Sequence, residues 1–387
     1  MQNFIFENPT KIIFGRGCIS QIGQEIRSYT NKILMVYGRG SILKNGVYEQ
    51  VSNSLKASGI SSVELSGAKS NPTLSLVYEG ISLAKREKVE AILAAGGGSV
   101  IDTAKTIAAG VMAEEDIWEY FSRRLEIKKA LPVFTVLTVS ASTSEMNQVA
   151  VITNEKTHQK LSMRSLCLLP KVSIMDPSTL FTLSREYTAY SAVDAISHML
   201  EGYFNNTEPD SLLQDRIVES LIKTIMEKTE VVLKNPRDYN ARADMMWATT
   251  LGFNGLATAG MGQITFPAHM IGHSMSALFD IAHGATLSMV LPGWMTYATR
   301  KNPAKFARFA REIFMVREPN DFKAAVEGVQ HLRSWMSSIG CPTHLQQCGI
   351  SGGDVDRIVT NASATAKAVG MEEYTEDVIA GILDRCR

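Results

Sequence analysis

Residues 89–105 read "VEAILAAGGGSVIDTAK". Positions 91–95 are apolar without alternation, as expected of a strand covered on both faces of a parallel sheet. The run meets Gly96-Gly97-Gly98-Ser99 and passes directly into a helix-like segment. Three glycines let the backbone come close to a ligand and offer their N–H groups. The helix N-terminus adds partial positive charge, and Ser99 a hydroxyl. This combination suits a phosphate or pyrophosphate. The turn is not GxGxxG, so the common dinucleotide fingerprint does not apply, and a bare GGGS also serves as a plain strand-to-helix turn.

The surrounding sequence has the same character. Short β-rich runs stand at 11–15 ("KIIFG"), 32–37 ("KILMVY"), 132–139 ("PVFTVLTV") and 172–175 ("VSIM"), with helix-like segments at 42–57 and 74–87. Such alternation predicts a doubly wound parallel sheet. After about residue 183 strand runs nearly vanish. Amphipathic segments follow at 184–204, 208–233, 238–258, 265–279, 302–314 and 320–338, with breaks expected at Asn235-Pro236, Pro292-Gly293, Asn302-Pro303 and Gly352-Gly353. The expectation is an α/β domain over 1–183 and an all-helical domain over 184–387.

The chain has 387 residues, with 39 Lys+Arg against 39 Asp+Glu. No long basic run is present, which argues against nucleic acid as a partner. Five cysteines without CxxC spacing fit reduced thiols in a cytoplasmic protein. The opening "MQNFIFENPTKIIFG" lacks a basic leader and meets Glu7 and Pro9 early, so no signal peptide is expected. No apolar stretch approaches the roughly 18–20 residues of a membrane helix.

A second glycine turn, Gly38-Arg39-Gly40-Ser41, follows the 32–37 run. In a nucleotide-binding sheet an acid here would bond the ribose 2′-hydroxyl and favour NAD. Two glycines, a cation and a hydroxyl leave room for a 2′-phosphate instead. NADP is therefore the expected cofactor, with NAD still possible.

Three of the seven histidines fall in "TFPAHMIGHSMSALFDIAHG", residues 265–284. His269 and His273 are i and i+4, on one helix face, and His283 follows. The segment "AVDAISHMLEGY" places Asp194 and His198 at i and i+4, with Glu201 one turn further. One carboxylate with two or three imidazoles suits Fe²⁺ or Zn²⁺ rather than Mg²⁺. Five candidates compete for four positions, and spacing does not say which is left over. An imidazole beside the ion could relay a proton.

These features occur together in a known family. The chain resembles the metal-dependent (iron-containing, group III) alcohol dehydrogenases, in the branch of butanol dehydrogenases and NADPH-dependent aldehyde reductases. The resemblance spans nearly the whole chain: "NPT" at 71–73, "GGGSVIDTAK" at 96–105, "VLTVSASTSEMN" at 136–147, "VITNEKTHQKL" at 151–161, "VDAISHMLE" at 193–201, "MMWATTLGFNGL" at 245–256, "HMIGH" at 269–273, "DIAHGATLSMVLP" at 280–292 and "GCPTHLQQCGI" at 340–350. It implies a Rossmann-like dinucleotide-binding domain followed by an all-α metal-binding domain, the architecture also seen in dehydroquinate synthase. Asp194, His198, His269 and His283 would be the metal ligands, and His273 would line the substrate cleft as the catalytic histidine. Gly96, Gly97, Gly98 and Ser99 would hold the pyrophosphate. Asn71, Asp102, Thr138, Val139, Ser142, Lys160 and Leu180 would complete the cofactor site. The implied reaction is reversible hydride transfer between NAD(P)H and a small aldehyde or primary alcohol, with the metal polarising the carbonyl, in a homodimer joined through the N-terminal strand region.

The chain departs from the branch in three places. Thr143 stands where relatives carry glycine, and is strained if that position needs φ > 0. Phe266 stands near the position where relatives often place tryptophan, and would alter the substrate wall. Arg123 and Arg124 could attract an anionic aldehyde, although a solvated surface pair is the simpler reading. Two rival functions weigh less. A lyase of the dehydroquinate-synthase type needs a Lys/Arg cluster in the metal helices, which carry none. A non-catalytic homologue should have lost a ligand, and every ligand position is filled.

Overall fold

The computed structural model describes residues 1–122, 124–208 and 211–387. Arg123, one of the two arginines considered for anionic substrates, lies outside the described residues. The chain divides into two compact units, one of residues 7–183 with 236–250, the other of residues 1–6, 184–235 and 251–387. The segment 236–250, which reads as part of the helical half, thus groups with the sheet.

The first unit holds strands β1 (Lys11–Phe14), β2 (Lys32–Gly38), β3 (Ser61–Ala68), β4 (Ala91–Gly97), β5 (Val133–Val139), β6 (Val149–Asn154), β7 (Gln159–Arg164) and β8 (Val172–Met175). Six of them form one sheet in the order β1-β8-β5-β4-β2-β3, parallel at every pairing. The helices of this part are α1 (Ile22–Arg27), α2 (Ser41–Lys44), α3 (Val47–Ala57), α4 (Leu74–Glu87) and α5 (Gly98–Met112). Alternate residues of each strand feed opposite layers. Ile33, Met35 and Leu93 pack with Ile22, Ile26, Val51 and Leu55 of α1 and α3. Leu34, Val36, Ile92 and Ala94 pack with Val77, Ile101, Ala104 and Ile107 of α4 and α5. The sheet is therefore covered on both faces, which is why its strands are apolar at consecutive positions.

Two pieces of this unit leave little trace in the sequence. β3 is an edge strand in which only Leu65 and Ala68 are buried, so its sequence "SSVELSGA" carries little apolar signal. β6 and β7 form a separate antiparallel hairpin with Thr153 opposite Lys160. The chain runs outward from β2 to β3 and returns to the other side of β2 as β4. That reversal is a topological switch point, and ligands of such sheets bind at the carboxyl ends of the strands beside it. Both glycine turns sit there, after β2 and at the end of β4.

The second unit is helical: α6 (Arg185–Phe204), α7 (Leu212–Lys234), the end of α8 (Tyr239–Gly252), α9 (Pro267–Phe279), α10 (His283–Ala298), α11 (Pro303–Phe314), α12 (Asp321–Ser338), α13 (Gly352–Val369) and α14 (Glu376–Asp384). The break expected at Pro292-Gly293 does not occur, because α10 continues through Pro292. This helix is apolar around its circumference and packs against α6, α9, α12 and α14. Burial on every side offsets the roughly 3 kcal/mol that a proline costs a helix interior. The Pro292 carbonyl accepts from Thr296 Oγ1 at 2.8 Å. Gly352-Gly353, read as a break, opens α13 instead. Among the described residues, no helix is long and apolar enough to cross a membrane.

Candidate active site

The polar centre of the helical unit is built on α6. Asp194, His198 and Glu201 are spaced i, i+4 and i+7, so one face carries all three. Burial of the surrounding helix is nearly complete, which places that face in the unit's interior. α9 brings His269, and α10 begins at His283. Gly284 makes the last approach possible: a Cβ there would stand 2.2 Å from the Tyr190 carbonyl oxygen of α6. Only a glycine lets the start of α10 press against the α6 backbone at this point.

One oxygen is common to the cluster. Asp194 Oδ1 lies 3.2 Å from His198 Nδ1, 3.7 Å from His269 Nε2 and 3.9 Å from His283 Nε2. Asp194, His198 and His269 each offer a donor atom within 4.8 Å of the others. His273 stands beside them, its ring centroid 4.8 Å from that of His283 and 6.2 Å from that of His269.

The tautomers follow from the neighbours. His198 Nδ1 is 2.9 Å from the Asp194 carbonyl oxygen, which can only accept, so Nδ1 carries the hydrogen and Nε2 keeps its lone pair. His269 Nδ1 donates to Glu201 Oε2, so when the ring is neutral its lone pair is on Nε2. Two of the converging atoms, Asp194 Oδ1 and His269 Nε2, are buried with no hydrogen-bond partner. Buried polar atoms are ordinarily satisfied, so two orphans facing one point are what a cation site requires. The electrostatics agree. Burial pushes the Asp194 carboxyl up, yet the imidazoles of His198, His269 and His283 outweigh it and hold the group well below the usual carboxylate range. Burial pulls His269 down, but the Glu201 and Asp194 carboxylates raise it to about 9. An environment that draws positive charge onto His269 serves a divalent ion equally well. Phe253 and Phe266 stand against the imidazoles, with ring centroids 4.7 Å from His198 and 5.8 Å from His269 respectively.

In the sheet unit, the glycine turn ends β4 and starts α5. A Cβ on Gly98 would lie 2.1 Å from Ser142 Oγ, so the glycine makes room for that hydroxyl. Ser142 Oγ is buried without a partner. Thr138 and Val139 close β5, paired beside the end of β4. Asn71 and Lys160 are buried and bonded to each other at 3.0 Å. Leu180 is buried in the turn Pro177–Thr182. Gly38, Arg39, Gly40 and Ser41 form the turn after β2, with Arg39 and Ser41 exposed. Asp102 faces inward, its carboxylate accepting from Ser144 Oγ at 2.6 Å and from the Val151 N–H at 3.2 Å. Burial raises Asp102 to about 6 and lowers its neighbour Lys105 to about 8. Arg124 is exposed.

Both units find counterparts among known proteins. Residues 9–177 match the model of iron-containing alcohol dehydrogenases, and residues 188–386 that of the C-terminal part of the same family. The chain belongs to the iron-containing alcohol dehydrogenase family. It is 36% identical over 385 residues to the probable NADH-dependent butanol dehydrogenase 1 of Bacillus subtilis (strain 168), covering 99% of each chain. It is 34% identical to the NADPH-dependent aldehyde reductase YqhD of Escherichia coli (strain K12), over 93% of this chain and 92% of that one. The crystal structure of an NADH-dependent butanol dehydrogenase A from Thermotoga maritima matches with a TM-score of 0.96 at 47% identity, covering 100% of this chain and 99% of that one. The chain is thus an NAD(P)-dependent oxidoreductase of the alcohol dehydrogenase and aldehyde reductase class.

Among the described residues five non-glycine positions have positive φ, and Thr143 is the β-branched one of them. Thr143, suspected of strain from the sequence, has φ +56°. For a β-branched residue this costs of order 1–3 kcal/mol. The side chain is buried and its Oγ1 donates to the Thr249 carbonyl at 2.9 Å. Thr250 Oγ1 donates to Glu145 Oε1 at 2.6 Å, so α8 fastens this loop at two successive residues. Thr143→Val keeps the strain and loses the bond, and should destabilise by about 1–3 kcal/mol. Thr143→Gly loses the bond but relieves the strain, and should cost less. Urea midpoints of the two variants check that order, and a valine variant as stable as the parent would refute it.

Proposed function

We propose that Asp194, His198, His269 and His283 hold one divalent ion, Fe²⁺ or Zn²⁺, and that the chain interconverts a small aldehyde and its primary alcohol with NADPH as the hydride donor. The reading is carried by the two partnerless buried atoms, Asp194 Oδ1 and His269 Nε2, which converge within a set of imidazoles. An ion bound there supplies Lewis-acid polarisation of the carbonyl oxygen. The side chains supply the rest. Glu201 and the Asp194 carbonyl hold two imidazoles in the tautomer that presents Nε2. Phe253 and Phe266 give the site an apolar wall that limits water. His273, beside His283, would hand a proton to the substrate oxygen.

For the nucleotide, Gly96, Gly97, Gly98 and Ser99 at the start of α5 would bind the pyrophosphate through backbone N–H groups, with Ser142 Oγ as a further donor. Asn71, Thr138 and Lys160 would bind the nucleotide or its ribose, with Val139 and Leu180 against the cofactor, and Asp102 would act from behind by holding Ser144 in place. Gly38, Arg39, Gly40 and Ser41 would receive a 2′-phosphate. A homodimer and a cytoplasmic location fit this reading. Phe4, Ile5 and Phe6 are 51%, 96% and 43% exposed, an apolar segment suited to a second subunit. The five cysteines are free.

Turnover of NADPH and NADH against neutral and anionic small aldehydes tests the proposal. Removal of metal by a chelator should lower turnover at least about 100-fold, equivalent to ~2.7 kcal/mol, and Fe²⁺ or Zn²⁺ should restore it. Chelator-insensitive turnover would refute the metal reading, and a preference for anionic aldehydes would favour the role considered for Arg124. Arg39→Asp should move the NADPH-to-NADH ratio of kcat/KM toward NADH by at least about tenfold, or ~1.4 kcal/mol. An unchanged ratio would remove Arg39 from the cofactor site. Asp194→Asn should lower the metal bound per chain at least about tenfold in elemental analysis, with unchanged circular dichroism.

A further inference from the structure

Glu201 is fully buried on the same face of α6 as Asp194 and His198. Its Oε1 accepts the Ala268 backbone N–H at 2.6 Å, and its Oε2 accepts the His269 backbone N–H at 3.3 Å. Both N–H groups belong to the first turn of α9, where helix donors have no internal partner. Phe266, at the N-cap of α9, offers no side-chain cap, so the carboxylate of α6 takes that part. Capping alone does not account for the third bond. The His269 Nδ1–H also donates to Oε2. The ion pair that Glu201 makes among the described residues is with this histidine. A charged carboxylate in an apolar interior is expensive unless its charge is answered. A cation on the far nitrogen of the ring would answer it through the imidazole.

We propose that Glu201 is a positioning residue that sets the affinity of the site for its divalent ion. It locks the ring of His269, fixes the proton on Nδ1 and strengthens Nε2 as a donor. Carboxylates placed behind metal-bound imidazoles act in this way, and their loss typically costs 10- to 100-fold in affinity. The inference rests on the reading of Asp194, His198, His269 and His283 as a metal site. Glutamine at position 201 can still cap α9 through its carbonyl oxygen. Its amide is a weaker acceptor and can donate to Nδ1, which moves the ring proton to Nε2 and blocks coordination.

The test uses Co²⁺ as a visible probe on metal-free full-length protein. Parent, Glu201→Gln and Glu201→Asp are titrated with Co²⁺ and melted with and without it. The expected outcome is one Co²⁺ per chain in the parent and about 10- to 100-fold weaker binding in both variants. The ligand-field bands should shift, and the melting point gained from Co²⁺ should shrink by more than any fall in the metal-free melting point. A purely structural cap would lower the metal-free melting point and leave the bands in place. Variants that bind within about twofold of a Co²⁺-binding parent, with unshifted bands, overturn the role of Glu201 alone. A parent that binds no Co²⁺ overturns the metal site, and this inference with it. If Glu201→Gln does not fold, Glu201→Asp decides. It withdraws the carboxylate from the ring by about one C–C bond length, ~1.5 Å, while keeping its charge near the α9 N-terminus.

Discussion

Asp194 places a carboxylate oxygen in the interior of the helical unit where no hydrogen bond satisfies it. Such an oxygen is tolerable only if positive charge comes to it. Three imidazoles from three helices answer that demand by converging on one atom. Their convergence fixes the relation of α6, α9 and α10, because a shift of one helix by a turn would leave either a carboxylate or an imidazole unanswered. The buried carboxylate of Glu201, two turns along α6, ties the start of α9 to the same face. The stability of this part of the fold and its capacity to bind a cation therefore draw on the same few atoms.

The sheet unit handles polarity differently. Its glycine turn, Gly96-Gly97-Gly98-Ser99, carries no charged side chain. The charges it does bury lie behind the turn, in a chain from Lys105 to Asn147 and from Asp102 to Ser144. This network, with the two bonds from α8, over-determines the loop of residues 140–147. That is the condition under which a threonine can persist at φ +56°. The strain is local and is borne by the bonds on either side of it.

Most of the architecture could be read from the sequence wherever the relevant interaction is close along the chain. The i, i+4 spacing of Asp194 with His198, and the strand–glycine–helix pattern at 89–105, are local signals and needed no partner to be seen. The strain at Thr143 is legible in the sequence because the residue stands where the family it resembles carries glycine. What escaped depends on distant residues. β3 is an edge strand whose polar sequence hides its pairing. Pro292 looks like a helix break until α10 is seen to be enclosed on all sides. The attachment of 236–250 to the sheet follows from Met246 entering its core and from the hydrogen bonds of Thr249 and Thr250. The bond between Glu201 and His269 spans 68 residues, and nothing near either residue announces it.

The same distinction bears on cofactor choice. A pyrophosphate held by backbone N–H groups at the start of α5 is bound alike in NAD and NADP, since the two differ only at the ribose 2′ position. The glycine turn therefore does not discriminate between them, and relatives named for NADH and for NADPH both match this chain. In the proposed binding mode, discrimination would rest on the few atoms that meet the 2′ substituent after β2. There the chain presents Gly38, Arg39, Gly40 and Ser41, with no carboxylate to bond a hydroxyl or to repel a phosphate. A phosphate carries charge that a guanidinium can neutralise, whereas a hydroxyl gains little from one. A preference for NADPH would thus rest on one exposed arginine, Arg39.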